Sequence, residues 1–271
     1  MISACDVLHK HRSDSRYLYR APDERRLCYQ LAGTSPEVMA AAAKKLQDLG
    51  ADLIDINCGC PKTKIRRKGS GSALMSQPVE LAAIIRAVRE AIHIPLTVKV
   101  RINADERDIA LAQFIEQAGA DALIVHGRRW TDHYDIPTNF QQIAKIKQAI
   151  HIPVIANGDI VDHQSLMRAI EVSACDAYMI SRGGSGNPWL YQQLLEKPTE
   201  MLSTVTHSMR MDCFMSHLEG LSSLESEYKA VLQSKTLVRY YFGASLSHEA
   251  LDVFYALSSL KEIEQHIQWL L

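Results

Sequence analysis

Apolar positions along this chain change period in a regular alternation. Short, nearly unbroken apolar runs fall at 26–33, 52–57, 96–101, 121–126, 153–157 and 176–181. Runs of this length bounded by Gly, Pro or Asn predict strands buried on both faces. Between them the apolar residues take helical spacing: Val38, Ala42, Leu46 and Leu49 share one face, and Phe140, Ile143, Ile146 and Ile150 another. Helices are therefore expected from Ser35 to Gly50 and near 77–92, 105–118, 140–150 and 162–171. Ser35 and Pro36 stand in cap and first-turn positions. Residues 1–24 carry no clear period and predict a loop with one helical turn, its cations at Lys10, Arg12, Arg16 and Arg20. After about residue 195 the strand pattern stops. Helices are expected there at 203–220, 224–242 and 247–270, with breaks near Gly220 and Gly243.

Strands alternating with helices mean a parallel sheet with helical crossovers. An internal repeat sharpens this. Ala91-Ile-His-Ile-Pro95 recurs as Ala149-Ile-His-Ile-Pro153, and Gly50-Ala-Asp52 recurs as Gly119-Ala-Asp121, with Ala174-Cys-Asp176 a near copy. A unit repeating around a ring predicts an α/β fold of the (β/α)8 TIM-barrel type. A doubly wound sheet is the alternative, but no Gly-x-Gly-x-x-Gly follows an early strand. The pattern shows six strands rather than eight, so the barrel is expected to be incomplete at its N-terminus. The division expected is a barrel over 1–195 and a small helical domain over 196–271.

Composition narrows the classes. The 271 residues are 47% hydrophobic and 23% charged, which suits one barrel-sized domain with an appendage. No run approaches ~18 apolar residues, so no membrane-spanning helix is expected. The first ten residues lack a signal-peptide core. Six cysteines show neither Cys-x-x-Cys nor zinc spacing, which predicts no metal site and free thiols in a reducing cytoplasm. A formal net charge of −1 means that any nucleic-acid contact must be local.

Candidate chemistry concentrates in residues 53–74. The apolar run ends at Asn57, and Gly59 and Pro61 turn the chain out of the sheet around Cys60. Lys62, Lys64, Arg66, Arg67 and Lys68 follow within seven residues, then Gly69 and Gly71. Cys60 reads as a general acid or as a small buried hydrophobe. Cys58, on the other strand phase, reads as packing. The basic run is either a solvated loop or a set of phosphate contacts. Further polar groups fall at the carboxyl ends of strands, where barrel enzymes keep their chemistry: Gln30, Lys99–Arg101, His126–Arg128, then Asn157 with Gly158 and Asp159, and Ser181 with Arg182. Lys99 interrupts an apolar strand and needs a partner, either a bound anion or a core carboxylate. The last two clusters, rich in glycine ahead of a helix near Pro188, suit a phosphate. His93 and His151 stand at the opposite rim and read as structural.

Asp55-Ile-Asn-Cys-Gly-Cys-Pro61 and the basic Gly-Ser-Gly loop behind it resemble the signature of the tRNA-dihydrouridine synthases. The likeness continues through Tyr29-Gln-Leu-Ala-Gly33, Val98-Lys-Val-Arg101, Val125-His-Gly-Arg128, Ile155-Ala-Asn-Gly-Asp159 and Ser181-Arg-Gly183, covering about residues 25–195. The resemblance implies an FMN-dependent enzyme, reduced by NADPH, that converts particular uridines of tRNA to dihydrouridine. It implies Cys60 as the catalytic acid. Gln30, Lys99, His126, Asn157, Gly158, Asp159, Ser181 and Arg182 would be cofactor contacts, and the five cations of 62–68 would be RNA contacts. Ser181 stands where the family usually has glycine. Such a family normally begins with a strand carrying a Pro-Met loop, a helix and a second strand. Met1-Ile-Ser-Ala resembles the tail of that second strand, which favours a start assigned too late over a degenerate open barrel. Its C-terminal helical domain helps hold tRNA, and Ser234-Lys-Thr-Leu-Val-Arg-Tyr-Tyr241 is similar to part of it, although residues 197–271 carry six Lys/Arg against nine Asp/Glu. A monomer is expected. Two rivals are a flavin barrel acting on a small enone and an RNA-binding protein without catalysis.

Overall fold

The computed structural model describes residues 1–11, 15–195, 205–243 and 246–267. Two compact units divide the chain: the first is Met1–Ile160 with Gln164–Ile180, the second Val161–His163 with Ser181–Leu271. The boundary anticipated after residue 195 adjoins residues outside the described set, and Arg12, residues 203–204 of one expected helix and 268–270 of another lie outside it.

The first unit is a seven-stranded parallel sheet in chain order, β1 (Ile2–Ser3), β2 (Cys28–Ala32), β3 (Leu53–Cys58), β4 (Leu96–Arg101), β5 (Ala122–His126), β6 (Val154–Asn157) and β7 (Ala177–Met179). The sheet is open, with β1 and β7 as its edges. The six strands counted from the apolar pattern are joined by a seventh where Met1-Ile-Ser-Ala resembles a strand tail: Ile2 and Ser3 pair with Leu31 and Ala32. Two residues carry no period, so that strand exists by pairing alone. Helices α1 (Ala4–His9), α2 (Pro36–Asp48), α4 (Pro78–Ala91), α5 (Arg107–Gln117), α6 (Phe140–Ala149) and α7 (His163–Ser173) connect the strands. A single turn, α3 (Thr63–Arg66), and a 3-10 turn at Gly71–Ser76 lie in the loop after β3. Ser35 caps α2 as its position implied, accepting from the Val38 N–H at 3.3 Å.

The sequence repeats have a shared mechanical role at the amino ends of the strands. Asp52, Asp121 and Asp176 each accept the first amide of the preceding strand region, from Leu27, Leu96 and Val154 at 2.7–2.8 Å. Each is also held by a cation: Arg20, Arg89 and Lys147 respectively. Gln47 and Glu116 then accept the backbone N–H groups of the two Ile-His-Ile copies, His93 with Ile94 and His151 with Ile152. Helix, turn and strand are thereby locked at one rim, leaving the carboxyl ends free for chemistry. The turn residue just ahead of Ala51 or Ala120 must take a positive φ, and glycine supplies it at Gly50 (φ 91°) and Gly119 (φ 99°).

The second unit is helical: α8 (Leu190–Leu195), α9 (His207–Leu224), α10 (Glu227–Phe242), α11 (His248–Ala256) and α12 (Leu260–Ile267). Its core is built from Phe214, Leu218, Val238, Phe242, Phe254 and Ile263 among others, with Phe214 set edge-on to Phe242 at 5.5 Å. The break expected at Gly220 is corrected. α9 runs through that glycine and stops at Glu225, because Ser226 caps α10 by accepting from Lys229 N–H. One exposed interior glycine costs only ~1 kcal/mol, too little to end a helix. The expected third helix is two, since the Ser259 hydroxyl accepts from Glu262 N–H and starts α12 anew. Among the described residues no helix is long and apolar enough to cross a membrane.

In the third turn of the repeat, Ala174 takes the glycine position at φ 48° and is exposed. A left-handed conformation costs an L-residue about 1–2 kcal/mol, offset in part by the greater unfolded-state freedom of glycine. Ala174→Gly should therefore stabilise the chain by about 0.5–1 kcal/mol, read as a higher urea midpoint.

Candidate active site

Strand register sets the site. Gln30 pairs with Asp55, Asn57 with Lys99, and His126 with both Arg101 and Asn157. Side chains of one phase therefore rise together at the carboxyl rim. Asp55 is the lowest of them, buried and accepting from Thr97 Oγ1 and Gln30 Nε2, both at 2.6 Å. Burial pushes its pKa up to about 6, against the pull of those two donors and of Lys99. An ionised carboxylate can only accept, so the Gln30 amide must present nitrogen to it and oxygen outward. That oxygen takes a hydrogen bond from Asn57 Nδ2 at 2.9 Å, and Asn57 Oδ1 then accepts from the Cys60 N–H at 3.0 Å. Each link fixes the next.

Cys60 is also held from the far side. Its carbonyl accepts from Ser72 N–H at 3.1 Å and from Ser72 Oγ at 3.0 Å. Gly71, at φ 63°, permits this closure: a Cβ there would lie 2.8 Å from the Cys60 oxygen. Arg101, which the sequence offers only as a member of the Lys99–Arg101 cluster with no role assigned, is buried and donates through Nε to the Gly59 carbonyl at 2.9 Å and through Nη1 to the Arg129 carbonyl at 3.0 Å. The thiol itself is half-buried. Cys58 is fully buried, and burial raises its thiol so far that it stays neutral.

Lys99 does not find a core carboxylate. Its Nζ donates to the neutral Asn157 Oδ1 at 2.6 Å, and Asn157 Nδ2 donates to the Met179 carbonyl at 2.8 Å. Burial lowers the Lys99 pKa to about 8; the Asp55 charge opposes that and Arg101 adds to it. His126 is driven down to about 3 by burial, then by the fields of Arg101, Lys99 and Arg128. It is neutral at physiological pH, and its Nε2 faces Arg128 Nη1 at 3.3 Å. Since that guanidinium can only donate, the ring proton is assigned to Nδ1.

Two of the expected site residues turn out to be tied into the scaffold. Asp159 forms an ion pair with the fully buried Arg128, both oxygens at 2.7 Å from Nη2, and accepts from Thr138 N–H and Oγ1 at 2.9 Å. Although burial works to raise it, these donors hold its pKa below the ordinary carboxylate value. Arg128 in turn donates to the Tyr134 and Ile136 carbonyls, so the pair clamps the loop 129–138. Within the basic run, Lys62, Lys64, Arg67 and Lys68 are exposed. Arg66 is half-buried, donating to Ser72 Oγ at 2.8 Å with its guanidinium 3.5 Å from the Trp130 ring centroid. It braces the Ser72 that holds Cys60. Ser181 and Arg182 belong to the second unit, where a 3-10 turn spans Arg182–Gly184. Among the described residues no group of three or more His, Cys, Asp or Glu gathers as a metal site.

A half-buried thiol at a strand's end, surrounded by a surplus of buried cations, can donate a proton while an anion sits beside it. The family model and the curated relatives agree on one family. A family model described as dihydrouridine synthase matches residues 1–268. The probable tRNA-dihydrouridine synthase 1 of Synechocystis sp. is 34% identical over 271 residues, covering 97% of this chain and 75% of that protein. The tRNA-dihydrouridine synthase B of Pseudomonas aeruginosa is 39% identical over 189 residues (69% of this chain, 57% of that protein), and that of Vibrio cholerae 34% over 231 residues (83% and 70%). The chain thus spans 57–75% of the length of these three relatives. Among solved structures, a 2-naphthoyl-CoA reductase complex matches with a TM-score of 0.50 at 16% identity, over 62% of this chain and 30% of that one. That likeness concerns the fold alone.

The Lys99 shift makes a pH prediction. Between about pH 8 and 10.5 the unfolded chain binds more protons at Lys99 than the folded one, so this residue makes stability rise as pH rises through that window. Urea midpoints measured from pH 7.5 to 10 should show that contribution in the wild type and lack it in Lys99→Met.

Proposed function

The chain belongs to the dihydrouridine synthase family, and from that premise we propose that its carboxyl rim reduces the C5=C6 bond of uridine in tRNA with Cys60 as proton donor. The observation that carries this reading is the bonded path from Asp55 through Gln30 and Asn57 to the Cys60 amide. It places a thiol at a defined point on the rim.

The rim also fits an anionic flavin. Lys99 is a half-buried cation held by a neutral amide oxygen, and His126 is neutral with its ring at the same rim. FMN, reduced by NADPH, would supply the hydride to C6 of the uracil. Lys99, Gln30 and His126 would hold the ring of the cofactor, and the turn at Asn157, Gly158 and Asp159 would offer its backbone to the phosphate. Because the Asp159 carboxylate is committed to Arg128, its side chain serves the loop 129–138 rather than the anion. Ser181 and Arg182 remain assigned by resemblance.

Cys60 gives its proton to C5 as the carbanionic character left by hydride addition develops there, which completes the two-electron, one-proton balance. The resulting thiolate lies within the field of Arg101, which interacts electrostatically with Cys60, and it is reprotonated from water. Uracil must leave its stack to reach a recessed thiol. Lys62, Lys64, Arg67 and Lys68 are placed on the exposed loop to grip the flanking phosphates, which fixes the strand without reading its sequence. That loop favours tRNA over a free enone. A tRNA substrate places the work in the cytoplasm.

Cys60→Ala should retain FMN and oxidise NADPH, while its dihydrouridine yield on tRNA falls by about 10²-fold or more, the scale of a lost general acid. Cys58→Ala should keep near-normal turnover. Mass spectrometry of digested tRNA decides, and an inactive Cys58→Ala beside an active Cys60→Ala would reverse the assignment. The loop has its own test. Replacing Lys62, Lys64 and Arg67 with Ala should weaken tRNA binding and flatten its log–log salt slope by about 0.7–0.9 for each phosphate no longer neutralised. Arg66→Ala should instead lower turnover more than affinity, because it braces Ser72.

A further inference from the structure

The chemistry above gives the loop 129–138 no task of its own, although the structure fixes it beside Cys60. One guanidinium, that of Arg101, donates to the carbonyls of Gly59 and Arg129, the residues just before Cys60 and Trp130. Arg128 holds the far part of the loop through the Tyr134 and Ile136 carbonyls, and Asp159 accepts from Thr138 N–H. A second route joins the thiol to the loop. The Arg66 guanidinium lies over the Trp130 ring, 3.5 Å from its centroid, and donates to Ser72 Oγ, which donates to the Cys60 carbonyl. Two arginines thus set Trp130 next to the thiol. With Arg66 against one face, the residue is still 41% exposed, so the opposite face of the indole is turned to solvent. Bracing Arg66 uses only the inner face. The loop around the ring is not built for phosphate: residues 129–138 hold one Arg against two Asp, and Arg129 is paired with Asp132. What the loop offers a ligand is a flat apolar ring, already fixed in place, so little freedom is lost when something stacks on it.

We propose that the outer face of Trp130 stacks the nucleobase next to the target uridine, so that this residue gives the enzyme a preference for a purine at that neighbouring position. The inference rests on the tRNA reading and deepens it, from the class of substrate to the local sequence around the reacting base. When the uracil turns out of its stack to reach Cys60, its former neighbour loses a stacking partner, and an indole held beside the thiol replaces it. Every base has a π-face, and preferences among bases follow stacking strength, which is greatest for the two-ring purines. The flanking phosphates stay with Lys62, Lys64, Arg67 and Lys68 on the neighbouring loop. Base contact and phosphate contact are therefore carried by different residues, which lets salt dependence tell them apart.

The full chain would be titrated, at several salt concentrations, with two hexaribonucleotides that each hold a single uridine, flanked on both sides by adenine in one and by cytosine in the other. Wild type should bind the adenine-flanked strand about fivefold more tightly. Trp130→Ala should weaken that strand about tenfold, erase the preference and leave the log–log salt slope unchanged, since no phosphate contact is lost. Trp130→Phe, which keeps a stacking ring, should retain the preference, so a loop that merely loosens cannot imitate the result. On tRNA, Trp130→Ala should raise KM about tenfold and lower kcat by no more than about twofold, the reverse of the pattern expected for Arg66→Ala. Equal affinity of wild type for the two hexamers, or failure to bind either, overturns the proposal while dihydrouridine formation in tRNA leaves the active-site reading standing. A fall in kcat at unchanged KM in Trp130→Ala also overturns it, by reducing Trp130 to a prop for Arg66. A flattened salt slope in that variant does the same, by making the contact one with phosphate. A wild-type chain that forms no dihydrouridine in tRNA sinks instead the reading on which the proposal rests.

Discussion

A carboxylate enclosed in a parallel sheet can only accept hydrogen bonds, and Asp55 imposes that one-sidedness on the whole rim. Gln30 and Thr97, on the strands to either side, point donors at it, and every amide beyond them is oriented in consequence. The arrangement is costly. A pKa lifted to about 6 leaves Asp55 ionised at neutral pH but makes that ionisation harder than in the unfolded chain, so it subtracts from stability there. What the fold gains is a Gln30–Asn57–Cys60 path with no alternative amide flip. A side chain free to rotate would leave the thiol position unset, and small misplacements of reacting groups are expensive in rate.

The same burial shapes the charges around it. Lys99, Arg101 and Arg128 are carried into the rim on adjacent strands, and among these three only Arg128 is matched closely by a carboxylate of the described residues, Asp159. Burial lowers Lys99 and, joined by the fields of the neighbouring cations, keeps His126 neutral, so the site offers one labile cation and one uncharged imidazole. Such a field favours a ligand that becomes more negative as electrons arrive. It also favours the thiolate left at Cys60 after proton donation. The amino-end locks at Asp52, Asp121 and Asp176 anchor β2, β4 and β6 at the rim away from these charges.

Much of this is legible in the residues, for identifiable reasons. The buried strands announce themselves because a parallel sheet covered on both faces needs unbroken apolar runs, as in Leu53, Ile54 and Ile56. Strand phase does not separate Cys58 from Cys60, two residues on; β3 ends at the fully buried Cys58, and the turn at Gly59 carries Cys60 out of the sheet to a half-buried position. Ile2–Ser3 has no period of its own to read, and only the family resemblance marks Met1-Ile-Ser-Ala as the tail of a strand. Five cations in 62–68 look alike in sequence, and only the fold brings Trp130 and Ser72 to Arg66. Asp159 reads as part of a phosphate turn until Arg128 and Thr138 are found on its oxygens. Arg101 is visible in the residues only as part of a polar cluster, since its carbonyl partners Gly59 and Arg129 are set by tertiary structure.

The central claim is that Asp55, through Gln30 and Asn57, sets the position from which Cys60 delivers its proton. Asp55→Asn tests it most directly, because the substitution keeps the volume and removes the obligatory acceptor, freeing the Gln30 amide to turn. The measurement is a single turnover: the purified variant is reduced anaerobically with NADPH, mixed with tRNA, and flavin reoxidation is followed by absorbance. The account predicts normal reduction by NADPH and reoxidation by tRNA slowed by about tenfold or more. Reoxidation at the wild-type rate would contradict it, and would mean that Ser72 and Arg101 hold Cys60 in place without help from the sheet.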